Sequence, residues 1–211
     1  VVTRDGCPVA VYRAMDPEPT LTDVRRFLGD RQTVLDLGSG AGRIANPLTR
    51  EGRIVTAVDD SSEMLAHVVG ARTICTPIAN LALTERFESV LLLSHLINSK
   101  DPLPLVQSAS SHLTPDGVLV IERFAPGRSW NPSVRNSGPV TIRLSDIVRD
   151  GDRIQAVTTY ELKGAAWPQT WELWERNDAE VTRLLYEAGL TALHLEGQWV
   201  IAGRRQRNDG S

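Results

Sequence analysis

The stretch VLDLGSGAGR places Asp36, Gly38, Gly40 and Gly42 at short, regular intervals, and Asp59 follows in VDDSSEML. These residue types at this spacing suit a bound nucleoside. Glycines allow a tight turn and let the backbone lie close against a ligand. A carboxylate such as Asp59 can accept hydrogen bonds from two neighbouring hydroxyls, as a ribose presents them. Three further residues could move protons or read charge. His95 ionises near neutrality when unperturbed, which suits a general base. An inward Glu122 would meet a cationic amine, and an inward Arg123 a carboxylate. Adjacent strand residues face opposite ways, so only one of the two can face the site.

These groups need a frame. The apolar run Val34–Leu37 reads as a buried parallel strand, and the next run, Ile54–Val58, ends at Asp59. A glycine loop after one strand and an acid after the next is how a doubly wound sheet holds a nucleoside. Periodicity predicts strands at 33–37, 53–58, 72–75, 88–94 and 117–124, the last after a Pro-Asp-Gly turn. Helices are expected at 20–28, 43–51, 61–69 and 101–113. Thr20 with Asp23 is capping-box-like, and Gly29 ends the first helix. This alternation predicts an α/β fold, a parallel sheet with helices on both sides. Residues 125–139 are rich in Pro, Gly, Ser and Asn and read as a surface loop. Strands at 139–148, 152–162 and 169–176 follow, with a hairpin turn at Arg149–Asp152. A helix at 178–188 has Asn177 as N-cap and Gly189 just past its end. An antiparallel hairpin over 191–203 closes the chain, and 204–211 is expected to fray. The antiparallel unit 139–176 is too small for a separate domain and is expected to extend or cover the C-terminal edge of the sheet.

Composition removes several function classes. The chain has 211 residues, enough for one α/β domain with a full core. The net charge is −3 and basic residues are scattered, which argues against a nucleic-acid partner. The longest apolar run, near Val90–Leu93, is too short to span a bilayer, and no signal-peptide pattern is visible. A cytoplasmic protein with no membrane partner is expected, as monomer or homodimer. The chain opens at Val1, which suggests a processed or trimmed start. Cys7 and Cys75 have no metal-like spacing and read as reduced thiols. No His/Asp/Glu cluster has ligand spacing, so no metal is expected. Arginine outnumbers lysine 21 to 2, read here as coding bias. A dinucleotide fingerprint needs a third glycine where Arg43 stands, and there is no P-loop.

With D-x-G-x-G-x-G at 36–42, and Asp59, Ser61, Met64 and Leu65 matching an acid followed by an x-S-x-x-M-L helix start, the chain resembles the class I S-adenosylmethionine-dependent methyltransferase family. The motif resemblance covers roughly residues 30–125. It implies a Rossmann-like, doubly wound, mostly parallel seven-stranded sheet with an antiparallel extension after strand five. It implies one domain over 1–211, with 1–30 capping the cofactor and 125–176 covering the substrate side. The cofactor would be S-adenosylmethionine, leaving as S-adenosylhomocysteine, and the substrate a small molecule attacked at nitrogen or oxygen, with secondary metabolism as a setting.

The resemblance also assigns residues. The backbone of Gly38, Ser39 and Gly40 would approach the methionine portion, Asp36 would orient its ammonium, and Asp59 would take the ribose hydroxyls. Met64 would pack near the adenine or serve as core. Ile78 would offer its N–H to the ring. Tyr12, in DGCPVAVYR, would lie over the cofactor. Ser94 and His95, at the tip of strand four, would face the sulfonium. His95 is the candidate base, or else an anchor for the cofactor carboxylate or the N-terminal segment. Glu122 and Arg123 follow at the tip of strand five. Tyr160, Trp167, Trp171 and Trp174 could wall a substrate pocket or serve as sheet core. Two positions depart from the family: Asp60 stands where an apolar residue usually packs on adenine, and Pro77 where an acid usually meets its amino group. Asn80 is a possible substitute for that acid, or a loop cap. No N-P-P-Y or D-P-P-Y follows strand four, against the nucleic-acid and protein-glutamine subclasses. Two alternatives stay open: a non-methylating member of the fold that uses the cofactor for cyclisation or regulation, and a nicotinamide-dependent oxidoreductase.

Overall fold

A computed structural model describes residues 2, 3, 6 and 8–205. Cys7 and the tail 206–211 lie outside the described residues. The chain runs through α1 (Val9–Ala14), α2 (Thr20–Leu28), β1 (Thr33–Leu37), α3 (Ala45–Arg50), β2 (Ile54–Asp59), α4 (Ser62–Leu65), β3 (Arg72–Cys75), β4 (Phe87–Leu92), α5 (Leu103–Ser111) and β5 (Leu113–Glu122). It continues through β6 (Ser133–Ser137), β7 (Val140–Asp150), β8 (Arg153–Leu162), β9 (Ala165–Trp174), α6 (Asp178–Glu187), β10 (Leu190–Glu196) and β11 (Trp199–Arg204).

Seven strands form one sheet in the order β10-β11-β5-β4-β1-β2-β3, parallel from β5 to β3 and antiparallel at β11 and β10. The strands of its centre are mostly apolar because both faces are covered. Leu35, Leu37, Val90 and Leu92 pack with Val106 and Ala109 of α5 and Val181 and Leu185 of α6. Val34 and Leu91 face the other way, onto Leu21, Val24 and Leu28 of α2 and Leu48 of α3. The strand order reverses between β1 and β4, whose registers align Asp36 with Leu91. The crevice at such a switch point is where doubly wound sheets bind ligands.

Local chemistry explains the boundaries. At α6, Asn177 Oδ1 accepts from the Glu180 N–H and the Glu180 carboxylate accepts from the Asn177 N–H, a complete capping box. The predicted cap at α2 differs: Thr20 is the first helical residue and makes no cap, while Asp23 accepts from Trp199 Nε1 at 3.0 Å. The helix expected over 61–69 is one turn, capped by Ser61 Oγ, because Val68, Val69 and Gly70 favour extended or turning backbone. Helix α1 and strand β6 lie where periodicity predicts no element. β6, inside the expected loop 125–139, is held by pairing with β7 rather than by its own polar residues.

The four strands β6–β9 form a second, antiparallel sheet instead of extending the first. Gly151, at φ 57°, closes the β7–β8 hairpin as the Asp-Gly signal predicts. Two residues tie the end of β9 to the loop after β4. Asn98, 1% exposed, donates to the Trp174 carbonyl and accepts from the Phe124 N–H. Arg176 donates to the carbonyls of Ile97 and Ser99. Among the described residues, no helix is long and apolar enough to cross a membrane.

Candidate functional site

The glycine loop is suspended from β2. The N–H groups of Gly38 and Ser39 both donate to the Val58 carbonyl, at 2.8 and 2.9 Å. The Gly40 N–H donates to Asp59 Oδ2 at 2.8 Å, and Asp59 Oδ1 accepts from the Ser61 N–H at 3.0 Å. Asp59 therefore shapes the loop as well as standing at its mouth. A carboxylate oxygen has two acceptor directions, so a hydrogen bond from the loop does not by itself bar a hydroxyl. Gly38 has φ 73° and no room for a side chain, since a Cβ there would meet Leu96 Cδ1 at 2.7 Å. Gly40 has φ 54° with open space where its Cβ would be. The loop thus offers bare backbone to a ligand at Gly40 while Gly38 lets the loop after β4 press against it.

Asp36 lies beneath this loop, 2% exposed, with Oδ2 buried and without a hydrogen-bond partner. Burial pushes its carboxyl up to about 7, with Arg43 opposing the rise and Asp59 adding to it. Ser39 Oγ is also buried without a partner. A buried polar atom left unpaired is costly. An acceptor at Asp36 next to a backbone cradle is the arrangement that an ammonium-bearing ligand would satisfy.

Over the loop, Met64 packs with Val9, Ala41 and Tyr12, bringing two of the expected residues together. The Tyr12 hydroxyl lies 3.3 Å from that of Tyr160, which joins α1 to β8. Ile78 is half-buried in a short 3₁₀ turn, its Cδ1 3.7 Å from the Cβ position of Gly38. Asp60 and Asn80 are exposed, and the Asp60 carbonyl faces the Cys75 thiol at 3.7 Å.

Past the tip of β4, Ser94 and His95 adopt φ 55° and 60°, the left-handed region. Two successive non-glycine residues there cost about 1–2 kcal/mol each. Part of the compensation is visible: the Ser94 N–H donates to the buried Glu122 carboxylate at 2.9 Å. The turn presents the His95 ring, which stacks on Phe124 with centroids 3.7 Å apart. His95 Nδ1 is buried, close to the Arg123 main chain but with no well-formed hydrogen bond. Burial lowers the pKa of this imidazole, the nearby Glu122 charge opposes that, and Arg128 reinforces it. Neutral imidazole is thereby favoured.

Glu122 and Arg123 do point apart, as strand geometry requires. Glu122 reaches the β4 turn. Arg123, 1% exposed, donates to the Gly197 carbonyl and pairs with Asp178 at 2.7 Å, joining β5 to α6 and the β10–β11 turn. It is not brought to the strand-tip cluster. Trp171 and Trp130 are 5.9 Å apart, and Trp130 meets Phe124 edge-on at 4.9 Å, so aromatic rings run from β9 to His95. Trp167 packs with Tyr12 and Tyr160 on the β7–β8 core, and the Trp174 carbonyl binds Asn98. Residue type and spacing assign no role to Phe124, Arg128, Trp130 or Asn98. The first three sit in or beside a Pro/Gly-rich loop, where isolated aromatics were the one available signal. Among the described residues, no three His, Cys, Asp or Glu side chains form a metal-binding group.

Residues 35–121, from the middle of β1 to the end of β5, match the family model of a methyltransferase domain. Over this segment the chain is similar to methyltransferase domains. The ubiquinone biosynthesis O-methyltransferase of Haemophilus ducreyi is 33% identical over 102 residues, 42% of this chain and 43% of that protein. The chain thus matches about two fifths of the length of that relative. The dTDP-3-amino-3,6-dideoxy-alpha-D-glucopyranose N,N-dimethyltransferase of Streptomyces fradiae is 24% identical over 194 residues, 85% of this chain and 76% of that one. Among solved structures, an amino pentose methyltransferase of Micromonospora echinaspora involved in calicheamicin biosynthesis superposes with TM-score 0.74 at 22% identity, covering 93% and 95% of the two chains. A sugar N-methyltransferase of a Streptoalloteichus species gives 0.69 at 22%, covering 92% and 88%. Likeness at this identity shows the fold. The shared fold therefore extends beyond the matched segment to both sheets.

Proposed function

We propose that the protein transfers the methyl group of S-adenosylmethionine to nitrogen or oxygen of a small molecule. The observation that supports this most directly is the unpaired Asp36 carboxylate under a bare glycine cradle, with the His95 turn pressed against that cradle through Leu96. The residues fit the cofactor. Asp36 would meet its ammonium, and the backbone at Ser39 and Gly40 its methionine portion. Asp59 would bind its ribose hydroxyls, while Met64 and Ile78 would flank the adenine under Tyr12. When bound, the cofactor supplies an activated sulfonium methyl. The protein's task is to align a nucleophile and manage its proton.

We assign that proton to His95. Its pKa is lowered, so the ring is neutral and able to accept a proton at neutral pH. Glu122 fixes the turn that presents it, and Phe124 fixes the ring plane. The amino-sugar enzyme of Streptomyces fradiae aligns over most of this chain, which favours an amine as the acceptor. The test is incubation with deuteromethyl-labelled S-adenosylmethionine and a panel of amino- and hydroxyl-bearing sugars and phenols, read by mass spectrometry. Label transferred to an acceptor is the expected result. Consumption of the cofactor with no label in any acceptor would overturn methyl transfer in favour of a non-methylating use of the same pocket.

A further inference from the structure

The second sheet neutralises most of its arginines. Arg143 pairs with Glu161, Arg149 with Glu175, and Arg153 with Glu172. Arg176 is spent on main-chain carbonyls. Arg128 and Arg135 differ. Both are exposed, and neither has an ion pair with a carboxylate among the described residues. Both lie close enough to His95 for their charges to disfavour its protonation. Two arginines without a carboxylate partner among the described residues thus bear on the candidate base, from different elements: Arg128 from the segment after β5, over the Phe124 ring that stacks on His95, and Arg135 from strand β6.

Arg128 is also held in place. Its guanidinium carbon lies 4.9 Å from the Trp130 ring centroid and 5.4 Å from that of Phe124. Phe124 in turn stacks on His95. Trp130 is fixed by donating its Nε1–H to Glu175 at 2.7 Å. Cation–π contact uses the face of a guanidinium and leaves its edge N–H donors free. A planar fork of donors, ordered and without a protein acceptor, suits an oxyanion taken bidentately.

We propose that the methyl acceptor carries an oxyanionic group, phosphate or carboxylate, gripped by Arg128 and Arg135 while its nucleophilic atom lies at His95. This rests on the methyl-transfer reading of the site. The grip sets specificity: an acceptor lacking the anion loses affinity, and the bound anion offsets the two positive charges beside the imidazole.

The probes are inorganic pyrophosphate and malonate, titrated at constant ionic strength into the whole protein while the His95 ring resonance is followed by NMR. His95→Gln assigns that resonance among the four histidines. A saturable shift of the His95 signal is expected, with a rise in its pKa. Tighter pyrophosphate binding points to a phosphorylated acceptor, tighter malonate binding to a carboxylated one. Arg128→Gln and Arg135→Gln should each weaken binding by at least about fivefold, and the double variant should abolish it, whereas Arg143→Gln should change it less than about twofold. Thermal melts and S-adenosylhomocysteine affinity of the variants should match wild type. No saturable shift, or equal affinity in the double variant, overturns the proposal. If wild type binds no S-adenosylhomocysteine, the methyl-transfer reading itself fails; if it binds while neither anion responds to Arg128 and Arg135, only the anion grip fails.

Discussion

Asp36→Asn should make the free protein more stable at pH 8 and a poorer cofactor binder. The folded Asp36 carboxyl holds its proton up to about 7, against 3.8 for the ordinary group. Between those values the folded chain binds a proton that the unfolded chain has released. Stability therefore falls as pH rises, by about 1.4 kcal/mol per unit, and the contribution present below 3.8 is lost above 7. The full window amounts to about 4 kcal/mol, an order-of-magnitude figure for a carboxylate desolvated without a partner. An amide of the same shape carries no charge to desolvate. The assay is urea denaturation of wild type and Asp36→Asn at pH 5 and pH 8 without cofactor. The variant's advantage should grow by a few kcal/mol between the two. Cofactor affinity of wild type should rise about tenfold per unit from pH 5.5 to 7, as ionised Asp36 becomes available to the ammonium. In Asp36→Asn that slope should vanish. An advantage that does not change with pH, or a slope that survives in the variant, would refute the reasoning.

Asp59→Ala should weaken S-adenosylhomocysteine binding by about 2–4 kcal/mol, because it removes the proposed ribose acceptor and frees the Gly40 and Ser61 N–H groups; calorimetry showing unchanged affinity would mean that the motif is misread. His95→Ala should lower turnover by roughly 10²–10⁴ while cofactor affinity barely moves, and the acidic limb of the pH–rate profile, set below the usual histidine range in wild type, should disappear. If cofactor affinity falls instead with turnover at saturation intact, His95 is an anchor. Asn98→Ala strands the Phe124 N–H and the Trp174 carbonyl and should cost about 2–3 kcal/mol of stability in thermal melts. A cost near zero would show that the two sheets are held together elsewhere.

The central frame was legible because its signals are local. Val34–Leu37 and Ile54–Val58 are apolar runs bounded by glycine or acid, and the positive φ values at Gly38, Gly40 and Gly42 follow from residue type. Asn177, Glu180 and Gly189 bracket α6 for the same reason. What was not legible depends on distant partners. β6 has the composition of a loop and exists through pairing with β7. Ser94 and His95 are held in left-handed backbone by Glu122, 28 residues away in sequence, and no local rule foretells that. Arg123 and Glu122 were indistinguishable as candidates because strand alternation says that they diverge without saying which faces the site. The Asp59 carboxylate was read as a ligand acceptor alone, and its hydrogen bond to Gly40 emerges only when β1 and β2 are aligned.

The most direct test of the account is a calorimetric titration of the protein with S-adenosylhomocysteine at pH 7.5, with NAD as the comparison ligand. The account predicts one site of micromolar affinity, about −7 to −9 kcal/mol, and no heat with NAD. Absence of heat and of any thermal shift at millimolar S-adenosylhomocysteine, or preferential binding of NAD, would contradict it.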